Sequence, residues 1–320
     1  IMPTPGKATI HPEKFSSRYE DLRTRVHNPS YRQFRDELEA EGVLVCDVTD
    51  ALVRYRDRSG NAVYLATDTH WRPEAMELAA AELARLIETR AELGRIAVSR
   101  NRRQAPKDVK NLGDVAVMLK LPPNQGVFGE EVVTIHSVTD AAGLPWRPDP
   151  AAEVLLLGDS FANIYSLETM NWGPAAGLAE QLSCALNRPV DTILRNDDGA
   201  YATREMLSRE LAQGEDRLAG KKVVVWQFAA RELAVGDWKI LDAMLAPGAM
   251  GENLTLNGLL ENQVWVGDVL RFAGCELAVS EPRFPCFKFN AAMSFQRLKC
   301  HLVLNFANGV DADKLAFRPD

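Results

Sequence analysis

Three short strand-like segments rich in apolar residues, separated by segments of helical length, most constrain the fold of this chain. They occupy residues 154–157, 190–194 and 222–228. Apolar runs without polar alternation are typical of strands buried on both faces, and intervening helices indicate a mostly parallel sheet. The sequence therefore predicts an α/β fold in which helices flank the sheet.

Local patterning predicts the remaining elements. Helices are expected over 34–40, from Pro73 to 88, from Ser160, over 175–186 and over 204–212. Strands are expected over 42–48 and, as an edge strand, over 132–136, while residues 1–7 resemble the end of a strand entering a loop. The order of helix, glycine and apolar strand agrees with α/β architecture.

Composition excludes several classes of protein. The chain has 320 residues and a net charge of -7. This negative charge argues against non-specific nucleic-acid binding, which needs clustered lysine and arginine. The five cysteines lack CxxC spacing, so neither a zinc site nor a disulfide framework is indicated. No apolar run reaches the ~18 residues that span a bilayer. Because the chain starts within an apparent strand, we expect an amino-terminal segment to precede it.

Composition changes near residues 241–247, and helical patterning fades beyond that point. Two strands separated by a glycine turn are expected over 264–272 and 275–279. The sequence therefore predicts two domains, an α/β domain over 1–241 and a small β-rich module over 242–320.

The chemistry of the chain centres on Ser160, which follows the apolar run 154–157 in a Gly-Asp-Ser-Phe motif. Strand ends of this kind carry active groups in parallel sheets. Ninety residues earlier, Asp68 and His70 flank one threonine in a Thr-Asp-Thr-His-Trp motif. An extended backbone points residues i and i+2 to one face, so both side chains can converge on Ser160, although direct Asp–His contact is not guaranteed.

These three residue types supply the groups of a serine acyl-transfer site. A serine hydroxyl is a weak nucleophile that needs a base, here His70, and a third group, here Asp68, to orient that base. Backbone N–H groups at the helix start can hold the oxyanion. Neither motif is specific by itself, since Gly-Asp-Ser is also a common turn and Asp-x-His is also a metal pair or a surface turn. The ordered combination is more specific, and no metal site is predicted.

Secondary candidates surround these motifs. Arg195 and Asn196 follow a strand end and can contact the acyl oxygen or a sugar carboxylate, or form a capped turn. Asp159 is expected to cap the following helix and is assigned no chemistry. Three aromatic residues can stack on sugars or simply pack: Trp71, Tyr165 and Trp172. They support a second hypothesis, a carbohydrate-binding scaffold with a degenerate site.

Residues 1 to about 240 resemble the SGNH-hydrolase-like domain of the alginate O-acetyltransferase family, the AlgJ/AlgX type. The resemblance rests on the motifs at 67–71 and 158–161 and on the strand at 224–228. In that family the Asp-x-His pair precedes the serine, as it does here. The resemblance implies an acetyl-Ser160 intermediate formed without a cofactor, with His70 as base and Asp68 as its partner.

The same resemblance implies partners and a location. The acceptor in the named members is a mannuronate-rich, exported polysaccharide, and the acetyl donor is expected to be a membrane O-acetyltransferase relay. The family is periplasmic and usually carries a signal or membrane anchor. We therefore expect a periplasmic protein, anchored through a preceding segment.

A second resemblance covers residues 247–296, which are similar to part of a MOSC domain, a β-rich family associated with molybdenum cofactor and sulfur carriage. The similar residues include Glu252, Asn253 and Cys286, the last in a Pro-Cys-x-Lys segment. A thiolate near Lys288 and Arg283 would have a lowered pKa and could carry sulfur or bind metal. The alternative, which the incomplete pattern favours, is that Cys286 is a buried or inert cysteine in a remnant module. Half of that family's pattern has no counterpart here, so we expect no complete cofactor pocket and no stoichiometric molybdenum.

Overall fold

A computed structural model of the chain describes residues 1–19, 26–94, 101–122, 126–236 and 238, together with the backbone of three strands between 269 and 307. The chain divides into two compact units, Ile1–Met244 and Leu245–Asp320. The boundary expected from composition, between residues 241 and 242, lies three residues before this division.

The first unit alternates helices and strands. Its helices are α1 (Lys7–Ile10), α2 (Pro12–Phe15), α3 (Tyr31–Ala40), α4 (Thr49–Ser59), α5 (Pro73–Arg90), α6 (Asp114–Met118), α7 (Ser160–Asn163), α8 (Leu178–Leu186), α9 (Gly199–Ala212) and α10 (Glu232–Val235). Its strands are β1 (Met2–Thr4), β2 (Arg102–Arg103), β3 (Lys107–Asn111), β4 (Glu131–Ile135), β5 (Val138–Thr139), β6 (Val154–Gly158), β7 (Asp191–Leu194) and β8 (Val223–Ala229).

Four strands form the central sheet in the order β1-β8-β6-β7. Every neighbouring pair is parallel, and Leu156 of β6 lies opposite Val225 on one side and Thr192 on the other. The predicted parallel sheet with flanking helices is therefore confirmed. Because the strands are parallel, their carboxyl ends share one edge, where ligands bind in sheets of this kind.

Strand β6 is buried along its whole length, since helices cover both faces of the sheet. Val154 and Leu156 belong to the larger apolar cluster, to which α5 and α8 contribute. Leu155 and Leu157 point the other way, into a smaller cluster with Ile193 and residues of α9. Burial of each leucine stabilises the fold by about 1.5–3 kcal/mol, which makes β6 a rigid support for Ser160.

Helix α5 begins at Pro73, as predicted, and continues to Arg90. Proline suits the first helical position because its missing N–H has no intrahelical partner there. Residues on the buried face recur at helical spacing, among them Met76, Ala80 and Leu83. Since only Arg72, the helix cap, separates Trp71 from Pro73, the packing of α5 fixes the position of the residues that follow His70.

The strand predicted over 42–48 is wrong. Gly42, with φ +81°, follows the end of α3 in the left-handed region, and the segment then runs beside the amino terminus. Only two backbone bonds join them, from the Cys46 N–H to the Ile1 carbonyl at 2.8 Å and from the Ile1 amino group to the Leu44 carbonyl at 2.6 Å. Burial of Cys46 and Val48 explains the apolar pattern without a ladder.

The other predicted elements of this unit are confirmed with shifted ends. Helices α8 and α9 begin at Leu178 and Gly199, rather than at 175 and 204. Strand β4 pairs antiparallel with β3 in a separate two-stranded sheet, and β2 pairs with β5 in another.

None of the helices in the described ranges is both long enough and apolar enough to cross a bilayer.

The second unit contains an antiparallel sheet of β9 (Val269–Phe272), β10 (Cys275–Arg283) and β11 (Val303–Ala307). Strand β10 lies between the other two. The two strands predicted around the glycine turn at 273–274 correspond to β9 and β10, so the expected β-rich character is confirmed for these residues.

Glu180 of α8 offers a test of how a buried carboxyl limits the stability of the fold. Burial raises the pKa of Glu180, although a 2.7 Å hydrogen bond from the Ser166 hydroxyl opposes the rise. A carboxyl whose folded pKa exceeds its unfolded value stabilises the protein at low pH and ceases to do so as pH rises through the folded pKa. We therefore expect Glu180→Gln, which keeps an acceptor for Ser166, to raise Tm at about pH 8 but little at about pH 4.

Thermal denaturation followed by circular dichroism measures this difference. The exposed Glu88, also on a helix, provides the control variant Glu88→Gln, which should leave Tm unchanged at both pH values. An equal change in Tm for Glu180→Gln at both pH values would contradict the assignment.

Candidate active site

Ser160 is the first residue of α7, directly after the end of β6. Asp159 is the helix cap, because its Oδ1 accepts a hydrogen bond from the Phe161 N–H at 2.9 Å. The predicted capping role of Asp159 is therefore confirmed. Gly158 is required where it lies, since a Cβ there would approach the Ala162 Cβ to 2.7 Å. The turn thus places a half-buried serine at the carboxyl edge of the sheet.

Asp159 also ties the turn at Ser160 to the neighbouring strand β8. Its Oδ2 accepts from the Ala229 N–H at 2.7 Å and its Oδ1 from the Gln227 Nε2 at 3.0 Å. Burial raises the pKa of Asp159, and its three donors oppose that rise. The Gln227 side chain also accepts from the Asp159 N–H and donates to Thr4 of β1, so three strands hold this turn.

The Asp-x-His pair and the serine meet in a continuous hydrogen-bonded chain. The His70 Nε2 lies 2.8 Å from the Ser160 Oγ, and the His70 Nδ1 lies 2.6 Å from the Asp68 Oδ1. Both Asp68 and His70 are buried, with 3% and 4% of their surface exposed. The direct contact between Asp68 and His70, left open by the sequence, is therefore present.

Asp68 accepts hydrogen bonds on both oxygens. Besides the imidazole, its Oδ1 accepts from the His70 N–H at 3.0 Å. Its Oδ2 accepts from the Trp172 Nε1 at 2.9 Å and from the Asp114 N–H at 3.1 Å. Burial acts to raise the pKa of Asp68, but His70 and these donors together hold it well below its usual range. The carboxylate is therefore ionised and can orient the imidazole and stabilise its positive charge.

The proposed stacking of Trp71 and Tyr165 on sugar rings is wrong. Both side chains, and that of Trp172, are fully buried. The Trp71 Nε1 donates to the Phe161 carbonyl at 3.0 Å, and the Tyr165 hydroxyl donates to the Trp71 carbonyl at 2.7 Å. Their ring faces are covered by the core, so these aromatic residues brace the site from behind and cannot contact a sugar.

Arg195 and Asn196 follow the end of β7, next to strand β6. The Arg195 N–H donates to the Gly158 carbonyl at 3.0 Å, while its guanidinium pairs with Asp197 at 2.7 Å. The Asn196 Oδ1 accepts from the Asn163 Nδ2 at 2.8 Å, which turns the Asn196 amide N–H₂ away from Asn163. The Asn196 Nδ2 instead donates to the Met170 Sδ at 3.3 Å. Ligand contact by Arg195 or Asn196 stays a prediction.

Among the neighbours of the catalytic candidates that sequence reasoning missed are one aromatic and one cationic side chain. The Phe161 ring packs against the His70 ring with centroids 4.8 Å apart. The Arg231 guanidinium, exposed after β8, lies 6.0 Å from the centroid of that same phenylalanine ring. Neither contact has a local sequence pattern, because each depends on which strands are adjacent in the sheet.

Asp68 and His70 also form, with Asp114, a group whose ligand atoms lie within 4.8 Å of one another. This arrangement corresponds to the alternative of a metal pair. However, the Asp114 Oδ1 already accepts from the Thr69 N–H at 2.6 Å, and the Asp68 Oδ1 already accepts from His70. A metal ion would have to compete with these hydrogen bonds. Cys286, Glu252 and Asn253 lie outside the described residues, so their predicted roles stay predictions.

A parallel sheet with a serine at the end of a central strand, and an Asp-x-His pair hydrogen-bonded to it, defines an SGNH hydrolase-like domain. The family model described as "SGNH hydrolase-like domain, acetyltransferase AlgX" matches residues 1–230. The chain therefore belongs to this family.

Relatives agree with this assignment. The chain is 26% identical over 274 residues to the "Probable alginate O-acetylase AlgJ" of Pseudomonas fluorescens, covering 81% of this chain and 64% of that protein. The chain thus spans less than two thirds of the length of this relative. The solved O-acetyltransferase domain of Pseudomonas putida AlgJ has the same fold, with a TM-score of 0.53, 20% identity, and coverage of 77% of this chain and 78% of that domain.

The MOSC domain model matches residues 222–308, a wider range than the resemblance over 247–296. Within it, the chain is 45% identical over 49 residues to the protein YiiM of Escherichia coli, covering 15% of this chain and 21% of that protein. The carboxy-terminal part of the chain is therefore similar in sequence to part of a MOSC domain.

Proposed function

We propose that the first unit is an O-acetyltransferase that carries an acetyl group as an ester of Ser160 and passes it to hydroxyls of an exported, alginate-like polysaccharide. One observation carries the proposal: the Ser160 Oγ, His70 and Asp68 are linked by hydrogen bonds of 2.8 and 2.6 Å. Membership of the acetyltransferase family and similarity to AlgJ proteins support the reaction and the acceptor.

In the first half-reaction, the His70 Nε2 takes the proton of the Ser160 hydroxyl as its oxygen attacks the carbonyl carbon of an acetyl donor. The bond from that carbon to the donor oxygen breaks, and the departing oxygen receives the proton from His70. The Asp68 carboxylate stabilises the imidazolium between the two proton transfers. We propose that the Ser160 backbone N–H donates to the oxyanion, together with the Asn196 Nδ2, which exchanges its contact with the Met170 Sδ for this one.

The second half-reaction reverses these roles. A sugar hydroxyl gives its proton to His70 and attacks the carbonyl carbon of acetyl-Ser160, and the Ser160 oxygen leaves with that proton. The acceptor is thereby acetylated and the enzyme is restored, so the chemistry requires no cofactor. We further propose that the protein acts in the periplasm and receives its acetyl group from a membrane O-acetyltransferase.

The competing scaffold hypothesis loses its support, because the three aromatic residues on which it depended are buried. Similarity to a MOSC domain supports a second candidate activity for the carboxy-terminal part, which is binding of a molybdenum cofactor or carriage of sulfur through Cys286. The incomplete MOSC pattern argues against it, so we keep the expectation that the protein binds no stoichiometric molybdenum.

The proposal predicts a covalent acetyl-enzyme and a gain of acetyl groups on a glycan. The protein is incubated with p-nitrophenyl acetate, and intact mass spectrometry is expected to show the mass of one added acetyl group, which peptide mapping assigns to Ser160. Addition of deacetylated polymannuronate should then discharge the ester and yield acetylated polymer. Release of free acetate with no gain from the polymer would instead define an esterase.

A further inference from the structure

The segment that carries Asp68 and His70 has no helix or strand of its own. Residues 66–70 form a run of bends just inside the isolated bridge between Tyr64 and Trp71. Four of its backbone N–H groups, those of residues 66, 67, 69 and 70, donate to carboxylate oxygens. A charged acceptor makes a shorter and stronger hydrogen bond than a neutral one. Carboxylates thus hold this loop in place of the backbone-to-backbone hydrogen bonds of a β-sheet. We call residues 66–70 the dyad loop.

Glu131, the first residue of β4, holds one end of the dyad loop. Its two oxygens accept from the Ala66 N–H at 3.0 Å, from the Thr67 N–H at 2.7 Å and from the Thr67 hydroxyl at 2.7 Å. Arg72 approaches the same carboxylate to 3.9 Å. Burial acts to raise the pKa of Glu131, but these partners hold it below its usual range, so the group is a carboxylate at neutral pH.

Asp114, the first residue of α6, holds the other end. Its Oδ1 accepts from the Thr69 N–H at 2.6 Å, and its own N–H donates to the Asp68 Oδ2 at 3.1 Å. The preceding Gly113 packs so closely that a Cβ there would collide with the Thr67 carbonyl and the Asp68 Cβ. Asp114 therefore supports both the backbone of the dyad loop and the carboxylate that orients His70.

We propose that Glu131 and Asp114 are positioning residues that keep Asp68 and His70 in line with Ser160. They bind the backbone of the dyad loop and act through it, not on the reacting atoms. The inference rests on the acetyl transfer proposed above. A displacement of about 1 Å in a catalytic group can cost about 10²-fold in rate, and residues behind a site commonly supply that precision.

The test compares Glu131→Ala and Glu131→Gln with Glu130→Gln, which is the matched control for the glutamine variant at the adjacent residue, where an exposed carboxylate pairs with Lys110. The rate of acetyl-Ser160 formation from p-nitrophenyl acetate should fall about 10²-fold at saturating donor in Glu131→Ala, with little change in KM. Glu131→Gln keeps one acceptor oxygen but turns an N–H₂ toward a donor, so an intermediate rate is expected. The control should match the wild-type protein.

A spectroscopic measurement reports the same effect without catalysis. The proton shared by His70 and Asp68 should give a far-downfield NMR signal in the wild-type protein and in Glu130→Gln. We expect this signal to broaden or vanish in Glu131→Ala while circular dichroism stays unchanged. If Glu131→Ala does not fold, Glu131→Gln serves for both comparisons.

A folded Glu131 variant that acylates at the control rate and keeps the downfield signal would overturn the positioning role. If the wild-type protein forms no ester at Ser160, the proposed function fails. The NMR comparison then still decides between a loop held by Glu131 and one that keeps its geometry without it.

Discussion

Replacement of Ser160 by alanine is expected to abolish the acetyl-enzyme and to lower acetyl transfer by at least about 10³-fold. Loss of the nucleophile in a serine triad removes most of the rate enhancement, and only binding and oxyanion hydrogen bonds remain. The His70 Nε2 would lose its 2.8 Å partner, but the supports of the loop and the sheet would be untouched. Intact mass spectrometry and the rate of p-nitrophenol release measure the two effects.

A suitable control is Ser59→Ala, because Ser59 is an exposed residue at the end of α4. The Ser59 variant should acylate like the wild-type protein, and both variants should unfold at the wild-type temperature within a few degrees. Acetyl transfer by Ser160→Ala at the wild-type rate would refute the serine ester.

Asp68→Asn is expected to lower kcat by about 10³–10⁴-fold, by analogy with the same change in a serine protease. Each Asp68 oxygen accepts hydrogen bonds from two donors. The N–H₂ of an asparagine would therefore face donors in place of one of these oxygens, and those hydrogen bonds would be lost. Either His70 loses its orienting partner, or the amide turns its N–H₂ toward the Trp172 Nε1 and the Asp114 N–H. Steady-state kinetics, in which kcat and KM are determined separately, distinguish this loss from weaker binding of the acetyl donor.

Stability should respond to pH in the same variant. The pKa of Asp68 is lowered in the folded protein, so its charge contributes stability above the unfolded pKa, and that contribution is lost as pH falls through the folded pKa. The Tm deficit of Asp68→Asn should therefore be full at neutral pH and shrink in acid. The exposed Asp57 gives the control Asp57→Asn, for which we expect no deficit. A deficit independent of pH would contradict the ionised state of Asp68.

Local patterns in the sequence determined much of this fold and the identity of the catalytic candidates. The segments that became β6, β7 and β8 are short and rich in apolar residues, and β6 is buried along its whole length, so their strand character is visible without knowledge of their neighbours. The same holds for α5, whose proline start and helical spacing are local features. Ser160, His70 and Asp68 could be named because strand-end serines and Asp-x-His pairs have fixed local spacing.

The tertiary structure alone decided what surrounds those three residues. The sheet order β1-β8-β6-β7 does not follow the chain, so no sequence pattern places Gln227 beneath Asp159. Trp172 and Glu131 reach their partners across 104 and 64 residues. Aromatic residues beside a motif look alike whether they face solvent or the core, and only packing showed that Trp71 faces the core. Side-chain hydrogen bonds across such separations depend on the folded backbone, whereas strand and helix periodicity depends on neighbouring residues alone.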